Sequence, residues 1–240
     1  MKFTRIYQTL PAFMATLLWA CSSNTKAPET VKVSEPPTVK ESKVEEPDQN
    51  LTILISDNYN AYLALTPGEF DNKTDETQSV EDIRRSTLTI AIAEYNRISG
   101  KNIELTADDI ESFIKMPLIG VPIERLHQFC SLDKETQDEW LADKDLGAGN
   151  LSGVSIADVG IPVTPLSDSE PDKGPSELQI WLKAFYASSE GLAANIDAGK
   201  ALTLKVDPDL PFDRVEPILE NLKEIGMNKF SLMTSLKRLD

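Results

Sequence analysis

The stretch from Ala201 to Leu236, ALTLKVDPDLPFDRVEPILENLKEIGMNKFSLMTSL, constrains this chain most. Leu202, Leu204 and Val206 alternate with polar neighbours, the period of a half-buried strand. Asp207, Pro208, Asp209 and Pro211 break that period. Asp213 can cap a helix, and Glu216 stands three residues on, the spacing of a capping box. Val215, Ile218, Leu219, Leu222 and Ile225 then share one helical face, and Gly226 falls where a left-handed C-cap is expected. Phe230, Leu232 and Met233 give a second short strand. A strand and a one-faced helix each bury one side, so they have to share a layered core.

The preceding residues supply the rest of those layers. Leu51 to Ile55 and Tyr59 to Leu65 read as two strands about an Asp57-Asn58 turn, followed by a polar loop from Gly68 to Gln78. Ser79 with Asp82 predicts a helix start, and Val80, Ile83, Thr87, Ala91, Tyr95 and Ile98 carry its stripe to Gly100. Thr106 and Asp109 repeat the capping pair before a short helix ending at Met116-Pro117. Pro122 fits the first turn of a third helix through Phe129, and Asp133 to Asp143 reads as a fourth. Gly147 to Pro175 is a long connection rich in Gly, Pro, Ser and Asp, with Val154 to Ile156 as a candidate strand. A fifth helix places Leu178, Trp181, Leu182 and Phe185 on one face. The expected fold is α+β, a small mixed sheet packed against several helices over 51–240.

The N-terminus has different chemistry. Lys2 and Arg5 precede a short apolar run from Leu10 to Trp19, and Leu18-Trp19-Ala20-Cys21 resembles the lipobox of bacterial lipoproteins. Residues 1–20 then read as a cleaved signal peptide and Cys21 as the lipidated residue. A transmembrane span needs about 20 apolar residues; this run is shorter and holds Pro11. An uncleaved single-span helix is the alternative. Residues 21–50 form a linker rich in Pro, Glu, Lys, Ser, Thr and Val and without aromatics, unable to bury enough apolar surface to fold. Fully extended it would reach on the order of 90 Å at about 3.3 Å per residue.

Asp207, the Pro211-Phe212 pair, the helix from Val215 to Ile225, Gly226 and the strand from Phe230 to Thr234 together resemble the end of the periplasmic domain of the ExbD/TolR family. Gly160-Ile161-Pro162 and the Glu177, Leu178, Trp181 pattern are similar to the Bacteroidota-type members, as are Arg125 to Trp140 and Leu51 to Leu65. The resemblance implies a non-enzymatic component of a TonB- or Tol-type transducer driven by the proton-motive force. It implies a homodimer, ExbB/TolQ-like and TonB-like partners and contact with peptidoglycan. It places the domain on the periplasmic side of a membrane, to which the lipobox-like Cys21 would hold it. Asp207, Pro211, Phe212, Phe230, Leu232 and Thr234 become the candidate interface. One departure is clear: no acidic residue lies between Met1 and Cys21, where the family carries a membrane-embedded Asp. A peptidoglycan-binding or scaffolding lipoprotein is the rival reading.

The remaining residues offer little for catalysis. A formal charge of −15 argues against nucleic acid as a partner. With Cys21 lipidated, Cys130 is left alone and reads as a buried, inert thiol. His127 is the only histidine and reads as a core-edge residue; an enzyme would need it beside at least two acidic groups. No cofactor fingerprint or metal-ligand spacing is visible. Trp181 and Phe185 read as core, with Tyr186 beside them. The last strand reads as a sheet edge open to another chain.

Overall fold

The computed structural model describes residues 50–55, 60–66, 78–142, 159–166, 174–206 and 210–234. The expected signal peptide, Cys21, the expected linker up to residue 49, the Asp57-Asn58 turn, Val154 to Ile156 and Asp207 lie outside the described residues, while Asn50, expected in the linker, is the first residue of a strand.

Five strands form one mixed sheet in an α+β fold. They are β1 (Asn50–Ile55), β2 (Asn60–Thr66), β3 (Ile161–Pro162), β4 (Leu202–Val206) and β5 (Ser231–Thr234), in the order β3-β2-β1-β4-β5. β1 pairs antiparallel to β2, with Leu51 opposite Leu65 and Ile53 opposite Leu63. β4 pairs parallel to β1, with Leu51 beside Leu202 and Ile53 beside Leu204. Because side chains alternate along each strand, this register puts these six residues on one face, and all six are buried. β5 extends the sheet parallel to β4, Leu204 beside Leu232. A parallel neighbour cannot be reached by a hairpin, so the chain between β4 and β5 has to cross over, and a helix carries it.

That helix, α7 below, is one of seven α-helices among the described residues. The others in order are α1 (Val80–Ser99), α2 (Ala107–Lys115), α3 (Leu126–Cys130), α4 (Lys134–Ala142), α5 (Glu177–Ser188) and α6 (Glu190–Asp197), with α7 spanning Phe212–Glu224. Both expected capping boxes form. Ser79 Oγ accepts from the Asp82 amide at 3.1 Å, and Thr106 Oγ1 accepts from the Asp109 amide at 3.2 Å. Gly100 and Gly226 take the left-handed conformation, with φ of 67° and 81°. Three expectations are corrected. Pro122 precedes a 3-10 turn, Ile123–Arg125, rather than entering an α-helix directly. Asp213 does not cap α7: Pro211 occupies the N-cap with ψ of 148° and supplies no side-chain bond, so Asp213 falls inside the first turn. There it acts only through its charge at the positive end of the helix. The last strand begins at Ser231, and Phe230 packs half-buried against the core instead.

The core centres on α5. Beyond Leu178, Trp181, Leu182 and Phe185, its Ile180 and Ala184 are also buried, so helices or sheet cover it on nearly every side. Trp181 stacks on Phe113 of α2, ring centroids 5.6 Å apart and planes within 10°. Thr87 of α1 meets Ser188 of α5 through their hydroxyls at 3.0 Å, pairing two buried polar atoms. α6, whose Gly191 weakens its helical signal, is capped by Ser189 and held by buried Leu192 and Ile196 one turn apart.

Gly120 shows how tightly the sheet is packed on its other side. A Cβ built there would stand 2.2 Å from Tyr62 Cδ1 on β2, far inside van der Waals contact. Gly120→Ala should therefore cost about 1–3 kcal/mol in denaturant titration, as overpacking does. An unchanged midpoint would mean that the Tyr62 ring can leave without penalty.

Candidate functional site

The open side of the sheet is built by α7 and β5. Val215, Ile218 and Leu222 bury one stripe of α7. Phe212 lies one turn ahead of Val215 and remains 65% exposed, so the apolar stripe runs past whatever covers it. On β5, Leu232 is 61% and Met233 55% exposed. β4 occupies the inner edge of β5, and no strand among the described residues pairs with its outer edge. Thr234 aligns with Val206, so β4 and β5 finish at the same end of the sheet, six residues before Phe212. Of the six candidate interface residues, Phe212 and Leu232 are thus prominently exposed. Phe230 is turned against the core, Pro211 sets the helix start, Thr234 closes the last strand pair, and Asp207 is outside the described residues. Met233 is also exposed, on the opposite face of β5 from Leu232; its signal was the same strand period. An exposed strand edge flanked by large apolar side chains is the arrangement that accepts another strand.

Two titratable clusters lie elsewhere. His127 is not a core-edge residue: its side chain is 63% exposed, and Nδ1 sits 2.7 Å from Asp109 Oδ2. Asp109 is itself buried, shallowly, beneath the imidazole. Burial pushes its carboxyl up, but hydrogen bonds from His127, the Thr106 amide at 2.8 Å and the Thr106 hydroxyl at 2.8 Å outweigh that, holding it below the usual carboxylate range. His127 meets this one carboxylate. Cys130, a turn along α3, is buried, and burial pushes its thiol up to about 12, so it carries almost no thiolate at neutral pH. Among the described residues no group of three or more His, Cys, Asp or Glu is placed to hold a metal ion.

Asp109 is stabilising chiefly as an anion. Its folded pKa lies below its unfolded value, so the contribution is complete above the unfolded pKa and is lost as pH falls through the folded one. Asp109→Ala should cost about 1–2 kcal/mol at pH 7 through the lost cap, with less effect at strongly acidic pH. A pH-independent difference would assign the loss to packing instead.

The second cluster surrounds Glu177, the first residue of α5. It is buried, and its Oε1 accepts the Ile123 amide at 2.6 Å, joining the start of α5 to the 3-10 turn 54 residues away in sequence. Burial raises its pKa to about 8, against the lowering effect of the Ile123 amide; the Glu124 charge adds to the rise. Trp181 brings its indole N–H close enough to favour the charged carboxylate, but outside hydrogen-bond geometry, and Nε1 has no partner. Glu124 receives Tyr95 Oη and Lys101 Nζ. Burial first, then that bond, raises the Tyr95 pKa. The Glu-Leu-x-x-Trp pattern marked Glu177 in the sequence, but only tertiary packing shows that its carboxyl is enclosed.

The described fold is an α+β domain presenting an apolar strand edge. Comparison with family models, with curated proteins and with solved structures finds no match. Among the described residues no helix is long and apolar enough to cross a membrane.

Proposed function

We propose that this chain is a lipid-anchored, non-enzymatic ExbD/TolR-like component of a TonB- or Tol-type energy transducer, acting on the periplasmic side of a membrane. The observation that supports this reading is the C-terminal strand–helix–strand unit, which ends in an edge unpaired among the described residues, with Leu232, Met233 and Phe212 exposed. The unit would bind by strand addition, to a second copy of the chain and to TonB-like or ExbB/TolQ-like partners. The linker would give it reach, and Cys21 would hold it to the membrane. With no acidic residue from Met1 to Cys21, this subunit would couple conformations without itself conducting protons.

The double substitution Leu232→Lys, Met233→Lys tests this reading. Both residues are exposed, so the fold should survive, whereas lysines on an edge oppose strand pairing. Crosslinking in intact membranes should lose the dimer and any ExbB- or TonB-like partner by about tenfold or more, at unchanged protein level. Retention of these crosslinks would overturn the edge as the contact. Capture of peptidoglycan alone by the unaltered protein would favour the scaffolding lipoprotein.

A further inference from the structure

Trp181 Nε1 is the one buried side-chain polar atom among the described residues without a hydrogen-bond partner. An unmet donor in a dry core is costly, so its presence calls for a partner in some state of the protein. Glu177 is placed to be that partner. It stands four residues earlier in α5, and residues four apart share one face of a helix. Both side chains are enclosed, and the indole lies close enough to the carboxyl to favour its charged form.

Glu177 Oε1 accepts the Ile123 amide at 2.6 Å. Once ionised, the carboxyl accepts at both oxygens, and charge-assisted bonds are roughly twice as strong as neutral ones. Loss of the proton thus creates a strong acceptor beside the unmet donor. The ring can answer without leaving its place. It lies flat on Phe113, planes within 10°, so a small turn in its own plane keeps the stack.

The charged groups around the pair come from the 3-10 turn and the end of α1. Glu124 opposes ionisation of Glu177. Tyr95 and Lys101 both bond to Glu124, and the lysine offsets its charge. Arg125 adds a positive charge on the same turn. α2 meets the pair with the Phe113 ring. Burial, with Glu124 adding, sets the titration near pH 8.

We propose that Glu177 and Trp181 form a proton-operated switch inside the core: the protonated carboxyl holds only the Ile123 amide, and on losing its proton it draws the indole N–H onto its second oxygen, moving the ring against Phe113 and resetting the contact between α5 and α2. The proposal does not depend on the energy-transducer reading.

The test follows the full chain, isotopically labelled at tryptophan and phenylalanine, by NMR from pH 5 to 9. Trp181→Phe identifies the indole signal by its disappearance. That proton should move downfield, as a forming hydrogen bond requires, with one midpoint near 8. The Phe113 ring signals should move with the same midpoint, and in Glu177→Gln both should stay fixed. Stability supplies the second readout. It should fall as pH rises toward 8 and level off above, because the folded carboxyl keeps its proton to higher pH than the unfolded one. In Trp181→Phe the carboxylate loses its second donor, so the pH of levelling off should rise by about one unit, the tenfold effect of one charge-assisted bond. A ring that only fills space would leave that pH unchanged. A Trp181 signal that stays fixed, that shifts equally in Glu177→Gln or that moves without Phe113 would overturn the proposal, as would an unchanged levelling off in Trp181→Phe.

Discussion

Trp181→Ala should destabilise the domain by about 3–5 kcal/mol, the usual range for removing a fully buried large aromatic side chain. Trp181 is completely enclosed and stacks on Phe113, so its loss leaves a cavity between α5 and α2 that a rigid core cannot refill. Trp181→Phe separates packing from polarity. It keeps a ring against Phe113 and deletes an indole N–H that has no partner. Its cost should accordingly be much smaller, about 1 kcal/mol, since removing an unsatisfied buried donor offsets part of the lost volume. Urea titration of both variants gives the comparison. Equal losses for Phe and Ala would show that the indole N–H is satisfied in solution.

Glu177→Gln should make the protein more stable at alkaline pH and nearly neutral in effect at acidic pH. The folded carboxyl has its pKa raised from the ordinary 4.5 to about 8. Between those values the folded state binds more protons than the unfolded chain, so stability falls as pH rises through that window and levels off above it. The difference corresponds to up to roughly 5 kcal/mol at about 1.4 kcal/mol per unit. Glutamine keeps the acceptor for the Ile123 amide without the charge, and should remove this slope. Alanine should remove the slope as well but lie about 1–3 kcal/mol below glutamine at every pH, because the Ile123 amide then lacks its partner. Stability measured from pH 4 to 9 in the three proteins distinguishes these outcomes. Tryptophan emission should titrate with the same midpoint near 8, since Trp181 lies beside the carboxyl. If the unaltered protein and Glu177→Gln keep parallel pH profiles, Glu177 reaches water and the enclosure is wrong.

Local signals and long-range packing divided this protein between them. Ser79 with Asp82 and Thr106 with Asp109 were legible because a capping box is complete within four residues. β4 and the apolar stripe of α7 were legible because period alone places one face inward. Asp213 was misread because the same local rule also fits a helix whose chain has already turned at Pro211. α6 gave little signal, having only Leu192 and Ile196 to bury and Gly191 to weaken it.

The candidate sites divide the same way. A short terminal strand could be read as an edge, but which strand lies beside it depends on the parallel crossover that brings Leu204 to Leu232. The enclosure of Glu177, the pairing of His127 with Asp109 and the burial of α5 on nearly all sides were not legible, because each depends on residues between 18 and 54 positions away or on several helices at once. The sequence by itself determined β1, β2, β4 and the capped helices α1 and α2, with the buried stripe of α7, since those follow from period, caps and turns; it did not place β3 or α6. Only the tertiary structure decided which polar groups are enclosed and which apolar ones stay bare. Burial is a property of the neighbours a residue acquires, and the chain brings those neighbours from afar.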